Sequence, residues 1–399
     1  MKSFLKTKGS LIIDEQGRTV VLRGVNLGGW LMMEGYIMHA LNTAEQVFKK
    51  NFARTLGTEA LASFEKDFRN HFIQENDIKR IADFGFNCIR VPFNSRAIER
   101  RPYQYDGEGL KYLDNVIRWA QEYKVWLILD LHAACGAQNH DWHSDSLGTA
   151  TLWQKKELRE RTFKLWEFLA QRYKDKTTIA GYDLLNEAVL EDTKLLNAFY
   201  KQLIKTIRRV DQNHILFVEG NRWAQDLECL EDFSDDNLAF SVHAYLPLEF
   251  TFNFVAHLQY PRETKEILRK LSSGYAAFAQ KKQRPVYVGE FGVNARQGLY
   301  GEDQWVKDIL GCFQEFGFHW TYWTYKAVKN SVFPDGIFSY LENPPWVNRA
   351  GPRLGWDTYA SLWPQRRKEM IESWKTEKFS LNTTILSALQ TSGGNGVME

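Results

Sequence analysis

Cysteine is scarce in this chain and scattered where it occurs. Cys88, Cys135, Cys229 and Cys312 are the only four in 399 residues. Their wide, irregular spacing gives neither a disulfide framework nor a CxxC metal pair. Long apolar runs are also missing, since no stretch approaches the ~18 residues of a membrane span; no membrane partner is expected. An excess of charge of one sign is lacking as well. The net charge is +2, which argues against a nucleic-acid partner or a membrane-surface role. No GxGxxG turn follows the first strand-like run, so a dinucleotide fold is disfavoured. The first ten residues lack the apolar core of a secretory signal. The expected location is therefore cytoplasmic, or secreted if a signal was trimmed.

What is present fits a soluble globular protein: 44% hydrophobic and 25% charged residues. Aromatics make up 14%, with 14 tryptophans. Most of these fill a core, but indoles also stack on the flat faces of sugar rings, so they point weakly towards carbohydrate. The length suits one α/β barrel.

The segment Ser10–Val25 reads as a β-hairpin leading into a strand, with Asp14-Glu-Gln-Gly17 as the turn. Eight short apolar runs then follow, counting Val20–Val25 as the first. The others are Phe86–Val91, Val125–Asp130, Ile179–Leu185, His214–Glu219, Leu238–Val242, Pro285–Gly289 and Trp320–Thr324. Helical patterns at 75–84, 108–123, 153–174, 191–211, 262–282 and 302–316 lie between them. Alternating strands and helices build a parallel sheet, and eight strands close a (β/α)8 TIM barrel. The expected architecture is a single catalytic barrel over 1–380 with a short N-terminal hairpin. Residues 43–70 read as an inserted helical pair, and 381–399 as a frayed tail.

Active sites of such barrels gather at the C-terminal ends of the strands. That rule collects Arg90, Asp130, His132, Asn186, Glu187, His243, Tyr245, Glu290 and Trp323, with Glu219 and Asn221 after the fifth strand. Taken singly, each has a structural reading: Arg90 as an ion pair, the histidines as core residues, Glu219 as a partner of Arg222. Their convergence on one face of an otherwise apolar barrel favours a site. Glu187 and Glu290 each close an apolar run, 103 positions apart (290 − 187). Two such carboxylates suit glycoside hydrolysis, one as acid/base and one as nucleophile. Arg90 and Tyr245 are placed to support Glu290, and a negative Glu290 would raise the pKa of Glu187.

With these residues in order, the chain resembles glycoside hydrolase family 5, the cellulase-type retaining hydrolases, from about Arg23 to Asp335. The matching set is Arg90, His132, Asn186, Glu187, His243, Tyr245, Glu290 and Trp323. The resemblance implies that Glu187 is the acid/base, Glu290 the nucleophile, Asn186 a ligand of the sugar 2-hydroxyl and Trp323 the floor of the −1 subsite. It also implies carboxylates ~5–5.5 Å apart. Leu22-Arg-Gly-Val-Asn-Leu-Gly-Gly-Trp30 and Gly136-Ala-Gln-Asn139 resemble the exo-β-1,3-glucanase branch. Ala188 departs from it where a proline is common.

The loop His140-Asp-Trp-His-Ser-Asp145 departs from it as well. With His132 it carries metal-ligand residue types, but it is not a helical HExxH, and sugar sites use the same residues. The reading adopted is that Trp142 and His143 shape a glycone subsite and that no metal or cofactor is used. The expected activity is retaining, exo-acting hydrolysis of β-linked glucose-type oligosaccharides. The alternatives are a β-mannosidase, mannanase or endo-β-glucanase on the same machinery, a metal-dependent hydrolase, and a carbohydrate-binding protein without catalysis.

Overall fold

The structure is a computed structural model that describes residues 3–38, 40–328, 332–340 and 359–391. Eight parallel strands form a closed barrel: β3 (Arg23–Asn26), β4 (Cys88–Asn94), β5 (Trp126–Ala133), β6 (Ile179–Asp183), β7 (Ile215–Glu219), β8 (Leu238–His243), β9 (Val286–Phe291) and β10 (His319–Tyr322). They are the eight strands expected. The barrel closes where β10 pairs with β3, Trp320 opposite Arg23.

Ahead of the barrel, β1 (Lys6–Lys8) and β2 (Leu11–Ile13) form an antiparallel pair. Leu5 and Ile12 from this hairpin pack with Leu22, Cys88, Ile128, Ala180 and Ile215. Those residues fill the N-terminal end of the barrel, away from the strand ends that carry the polar residues. Sequence period explains the rest of the interior, because alternate residues of a strand face the same way. Cys88 points inward, so Arg90 does too; Ile128 is followed inward by Asp130 and His132; Phe217 is followed by Glu219. The intervening Ile89, Val91, Leu127, Leu129 and Leu131 face outward into the core between sheet and helices.

The helical pair Glu45–Leu56 and Thr58–Phe72 is present as expected. It is joined by the later helix Tyr359–Trp374, through edge-on contacts of Phe52 and Phe64 with Trp363 and of Phe64 and Phe68 with Trp374.

The tail corrects an expectation. Ser380–Leu381 (β12) pairs with Phe338–Ser339 (β11), and Thr383–Thr391 is a helix that buries Ile385, Leu386, Ala388 and Leu389. That helix packs on Glu302–Phe316. Apolar residues recurring three and four apart give it a face to bury, which fixes a segment whose composition reads as frayed. Residues 392–399 lie outside those described. Among the described residues, no helix is long and apolar enough to cross a membrane.

Candidate active site

Arg90 is the hub of the barrel's polar layer and is fully buried. Its Nε donates to Asp183 Oδ2 (2.9 Å) and its Nη1 to Glu290 Oε1 (2.7 Å). Its Nη2 donates to Asn186 Oδ1 (2.9 Å) and Glu219 Oε1 (3.2 Å), and lies 3.1 Å from Asp130 Oδ2. Burial alone would weaken the guanidinium's hold on its proton. Asp130, Asp183, Glu290 and Glu219 outweigh that and raise its pKa well above the ordinary value. The cost of burying a charge is met here by a near-complete set of partners.

Glu290 reaches the site through a break in strand regularity. Strict alternation would turn it outward with Val286 and Val288. The register shifts on both sides of β9, between Val242 and His243 on β8 and between Trp320 and Tyr322 on β10. Such irregularities re-aim a side chain. Gly289 makes room, since a Cβ there would stand 3.1 Å from the His243 imidazole. Glu290 accepts from Arg90 and from the Tyr245 hydroxyl (2.8 Å to Oε2). Burial, and Glu290 after it, raise the Tyr245 pKa well above normal, so the phenol remains a donor.

Glu187 sits just beyond β6 with φ +47°, a left-handed conformation uncommon for a residue with a side chain. Its backbone N–H donates to Glu219 Oε2 (2.6 Å). Glu219 is therefore turned inward to Arg90 and Glu187. The expected pairing with Arg222 is incorrect, because Glu219 is buried at the inward end of β7 while Arg222 is exposed.

Around the Glu187 carboxylate, Oε1 lies 2.6 Å from His243 Nδ1 and Oε2 lies 2.9 Å from His143 Nε2. Burial raises its pKa, but the bonds to His143 and His243 outweigh burial and lower it well below the ordinary carboxylate value. The expectation of a Glu187 pKa raised by Glu290 is thus overturned for the free site. The two imidazoles are closer than the second carboxylate, and they decide. One oxygen of Glu187, one oxygen of Glu290 and a ring nitrogen of His243 all lie within 4.8 Å of one another.

His132 hydrogen-bonds Asp130 (Nδ1 to Oδ2, 2.8 Å) and stacks on Trp323, with ring centroids 5.4 Å apart and planes 8° apart. Trp323 Nε1 donates to the Tyr36 hydroxyl. Glu34 faces His132 across 3.8 Å, and its Oε1 is buried with no hydrogen-bond partner among the described residues. Burial pushes the Glu34 pKa up to about 7. Asn186 Nδ2 is likewise buried, with no partner among the described residues. Such groups cost free energy unless something bonds them.

The site opens into a cavity of about 390 Å3. Its lining includes the polar groups Glu34, His132, His143, Glu187, Tyr245 and Glu290 and the aromatic rings of Trp142, Trp223, Phe252, Phe254, Trp323 and Phe333. Sequence reasoning misses Glu34, Tyr36, Asp183, Trp223 and the three phenylalanines. Asp183 alone carries a usable signal, as a charged residue inside an otherwise apolar run.

The His-rich loop does not gather into a ligand set. His140 is exposed beside Asp141, and Asp141 Oδ2 accepts from Trp223 Nε1 (2.8 Å). Asp145 turns to Arg96, Asn94 and Gln46. His132 and His143 take Asp130 and Glu187 as their respective partners.

The family model for cellulase, glycosyl hydrolase family 5, matches residues 48–329. The chain belongs to glycosyl hydrolase family 5. It is 34% identical to a β-xylosidase of Phanerodontia chrysosporium over 345 residues, covering 82% of this chain and 71% of that protein. It is 28% identical to endoglucanase C of Acetivibrio thermocellus over 349 residues (78% and 92%). A third relative, a probable glucan 1,3-β-glucosidase A of Emericella nidulans, is 34% identical over 217 residues (51% and 53%). Among solved structures, Thermotoga maritima Cel5A in complex with mannotriose aligns with TM-score 0.62 at 19% identity, covering 93% of this chain and 97% of that one. The likeness to Cel5A shows the shared barrel fold. Family membership makes this protein a β-glycoside hydrolase.

Proposed function

We propose that the protein is a retaining, exo-acting hydrolase of short β-linked gluco-configured oligosaccharides. The observation that carries the mechanism is the approach of the Glu187 and Glu290 carboxylates, with oxygens within 4.8 Å. Retaining glycosidases hold their carboxyls ~5–5.5 Å apart, whereas inverting ones leave ~6.5–9.5 Å for a water.

In this reading Glu290, supported by Arg90 and Tyr245, attacks the anomeric carbon. The bond to the leaving oxygen breaks as that oxygen takes a proton from Glu187. Water then gives a proton to Glu187 and displaces Glu290 from the sugar. Asn186 Nδ2 supplies an unspent donor for the 2-hydroxyl, His132 and His243 line the reacting ring, and Trp323 lies beneath it. Exo action is supported by the Asp141–Trp223 bond, which ties the loop after β5 to the turn after β7 and walls the cavity. The relatives are named β-xylosidase, endoglucanase and glucan 1,3-β-glucosidase, and the first of these names makes a pentosyl glycone the second reading.

A panel of aryl β-glucosides, β-xylosides and β-mannosides, with β-1,3- and β-1,4-oligosaccharides, tests the reading. Nuclear magnetic resonance of the first-formed product should show the β-anomer, released as monosaccharide. An α-anomer would rule out retention, and internal cleavage would rule out exo action. Glu290→Gln should abolish turnover. Glu187→Ala should spare dinitrophenyl glycosides far more than natural ones.

A further inference from the structure

His243, at the end of β8, is one imidazole on Glu187. The second, His143, comes from the one-turn helix Trp142–Ser144 in the loop after β5. Its Nε2 lies 2.9 Å from Glu187 Oε2. The ring is held edge-on against Trp142 (5.7 Å between centroids) and His132 (6.2 Å).

A third group makes the contact two-state. Asn139 Oδ1 accepts the N–H of Asp141 (2.9 Å), which fixes the amide's orientation. Its Nδ2 therefore faces both the Glu187 carbonyl (2.9 Å) and His143 Nε2 (3.0 Å). When Nε2 carries a proton, it donates to Glu187. When that proton has left, the lone pair on Nε2 accepts from Asn139. Each state of the ring thus has a hydrogen-bond partner within reach.

We propose that His143 is a positioning residue that shares one proton with Glu187, and that this pair sets the alkaline limit of activity. This rests on the glycosidase reading above and goes beyond it, because it gives His143 to the acid rather than to the sugar. In the first half-reaction the Nε2–H bond of His143 breaks as an O–H bond forms on Glu187. That proton passes to the leaving oxygen as the glycosidic bond breaks and Glu290 bonds to the sugar. In the second half-reaction the proton lost by water goes to Glu187 and returns to Nε2.

The groups facing His143 favour its charged form. Burial works against the imidazolium, but Glu187, Glu34 and Asp141 outweigh burial and raise its pKa to about 9. Glu187 in turn faces His243 and stands near Glu290. A coupled pair of this kind titrates as a unit. One proton stays in it until the upper of its two macroscopic pKa values is passed.

The test is the pH dependence of kcat/KM for the wild type, His143→Asn and His143→Gln, on an alkyl and a dinitrophenyl β-glucoside. The wild-type alkaline limb should lie near the His143 value of about 9. In both variants it should move towards the carboxylate range by about one pH unit or more. Above neutrality the variants should lose on the order of tenfold or more on the alkyl glucoside, the scale of general acid catalysis, and far less on the dinitrophenyl one. An unmoved limb, or equal loss on both substrates, would overturn the proposal and return His143 to the glycone pocket. Should the variants not fold, nitrogen resonances of His143 in the wild type decide the matter. An Nε2 that never protonates between about pH 5 and 9 refutes sharing. A wild type inactive on every glycoside would instead refute the glycosidase reading itself, which the variants alone cannot do.

Discussion

Replacing Arg90 with methionine removes one cation that faces four buried carboxylates. In the native protein the guanidinium stands 2.7 Å from Glu290, 2.9 Å from Asp183, 3.1 Å from Asp130 and 3.2 Å from Glu219. Removing one partner of a buried pair costs ~3–5 kcal/mol, because the remaining charge is left without compensation. At ~2 °C per kcal/mol, the lower end for sizeable domains, the melting temperature should fall by roughly 6–10 °C.

The deficit should also depend on pH. Without the guanidinium, the buried carboxylates of Arg90→Met hold protons to higher pH in the folded state than in the unfolded one. The native state then binds more protons, so stability falls as pH rises through that window. The difference from wild type should be larger near about pH 8 than near about pH 5, with proton uptake relieving the site at the lower value. Thermal melts of both proteins at the two pH values read this directly. A variant melting within ~2 °C of wild type at both would show that the layer does not depend on Arg90, against the cost expected of a broken buried pair. A large deficit unchanged with pH would refute proton uptake and leave poorer packing as the cause.

Two further outcomes follow from the same geometry. Glu219→Gln weakens the bond to the Glu187 N–H; a hydrogen bond to a charged group is worth ~1.5–3 kcal/mol, so kcat should fall by roughly 10–100-fold with KM little changed. Activity close to wild type would show that Glu219 does not position the acid. Deleting residues 383–399 exposes the surface covered by Ile385, Leu386 and Leu389, and at ~1.5–3 kcal/mol per side chain the loss should be roughly 5 kcal/mol in denaturant unfolding. An unchanged midpoint would restore the frayed-tail reading.

Much of the barrel is legible in the sequence because strand period and strand number are local properties. Arg90, His132 and His243 fall on the inward face by counting in twos from Cys88, Ile128 and Ala239. The same count from Phe217 reaches Glu219, whereas on β6 a register irregularity after Ile179 breaks the count before Asp183; the sequence suggests Arg222 as the partner of Glu219, because nearness in the chain is a poor guide to nearness in space. Glu290 is recognisable by its place at a strand end, although period alone turns it outward; the register shifts beside β9 have no local signature. The phenylalanine wall and the His143–Glu187 contact depend on how long loops fold back over the barrel mouth. That is set by packing between segments far apart in the chain. The tail helix is hidden by the Gly- and Ser-rich residues that follow it.

The pairing of β3 with β10 also governs how the molecule can be made. Trp320 meets Arg23 across 297 positions (320 − 23). At ~5–20 residues per second of synthesis, the closing strand emerges on the order of 15–60 s after the opening one. Until then the growing sheet has two open edges, and such edges recruit other strands. Asn26 waits as well, because the carbonyls its Nδ2 binds belong to Gly289, Thr321 and Tyr322. Arg90 waits for its partners too, since Asp130, Asp183, Glu219 and Glu290 stand on four later strands and the last of them comes with β9.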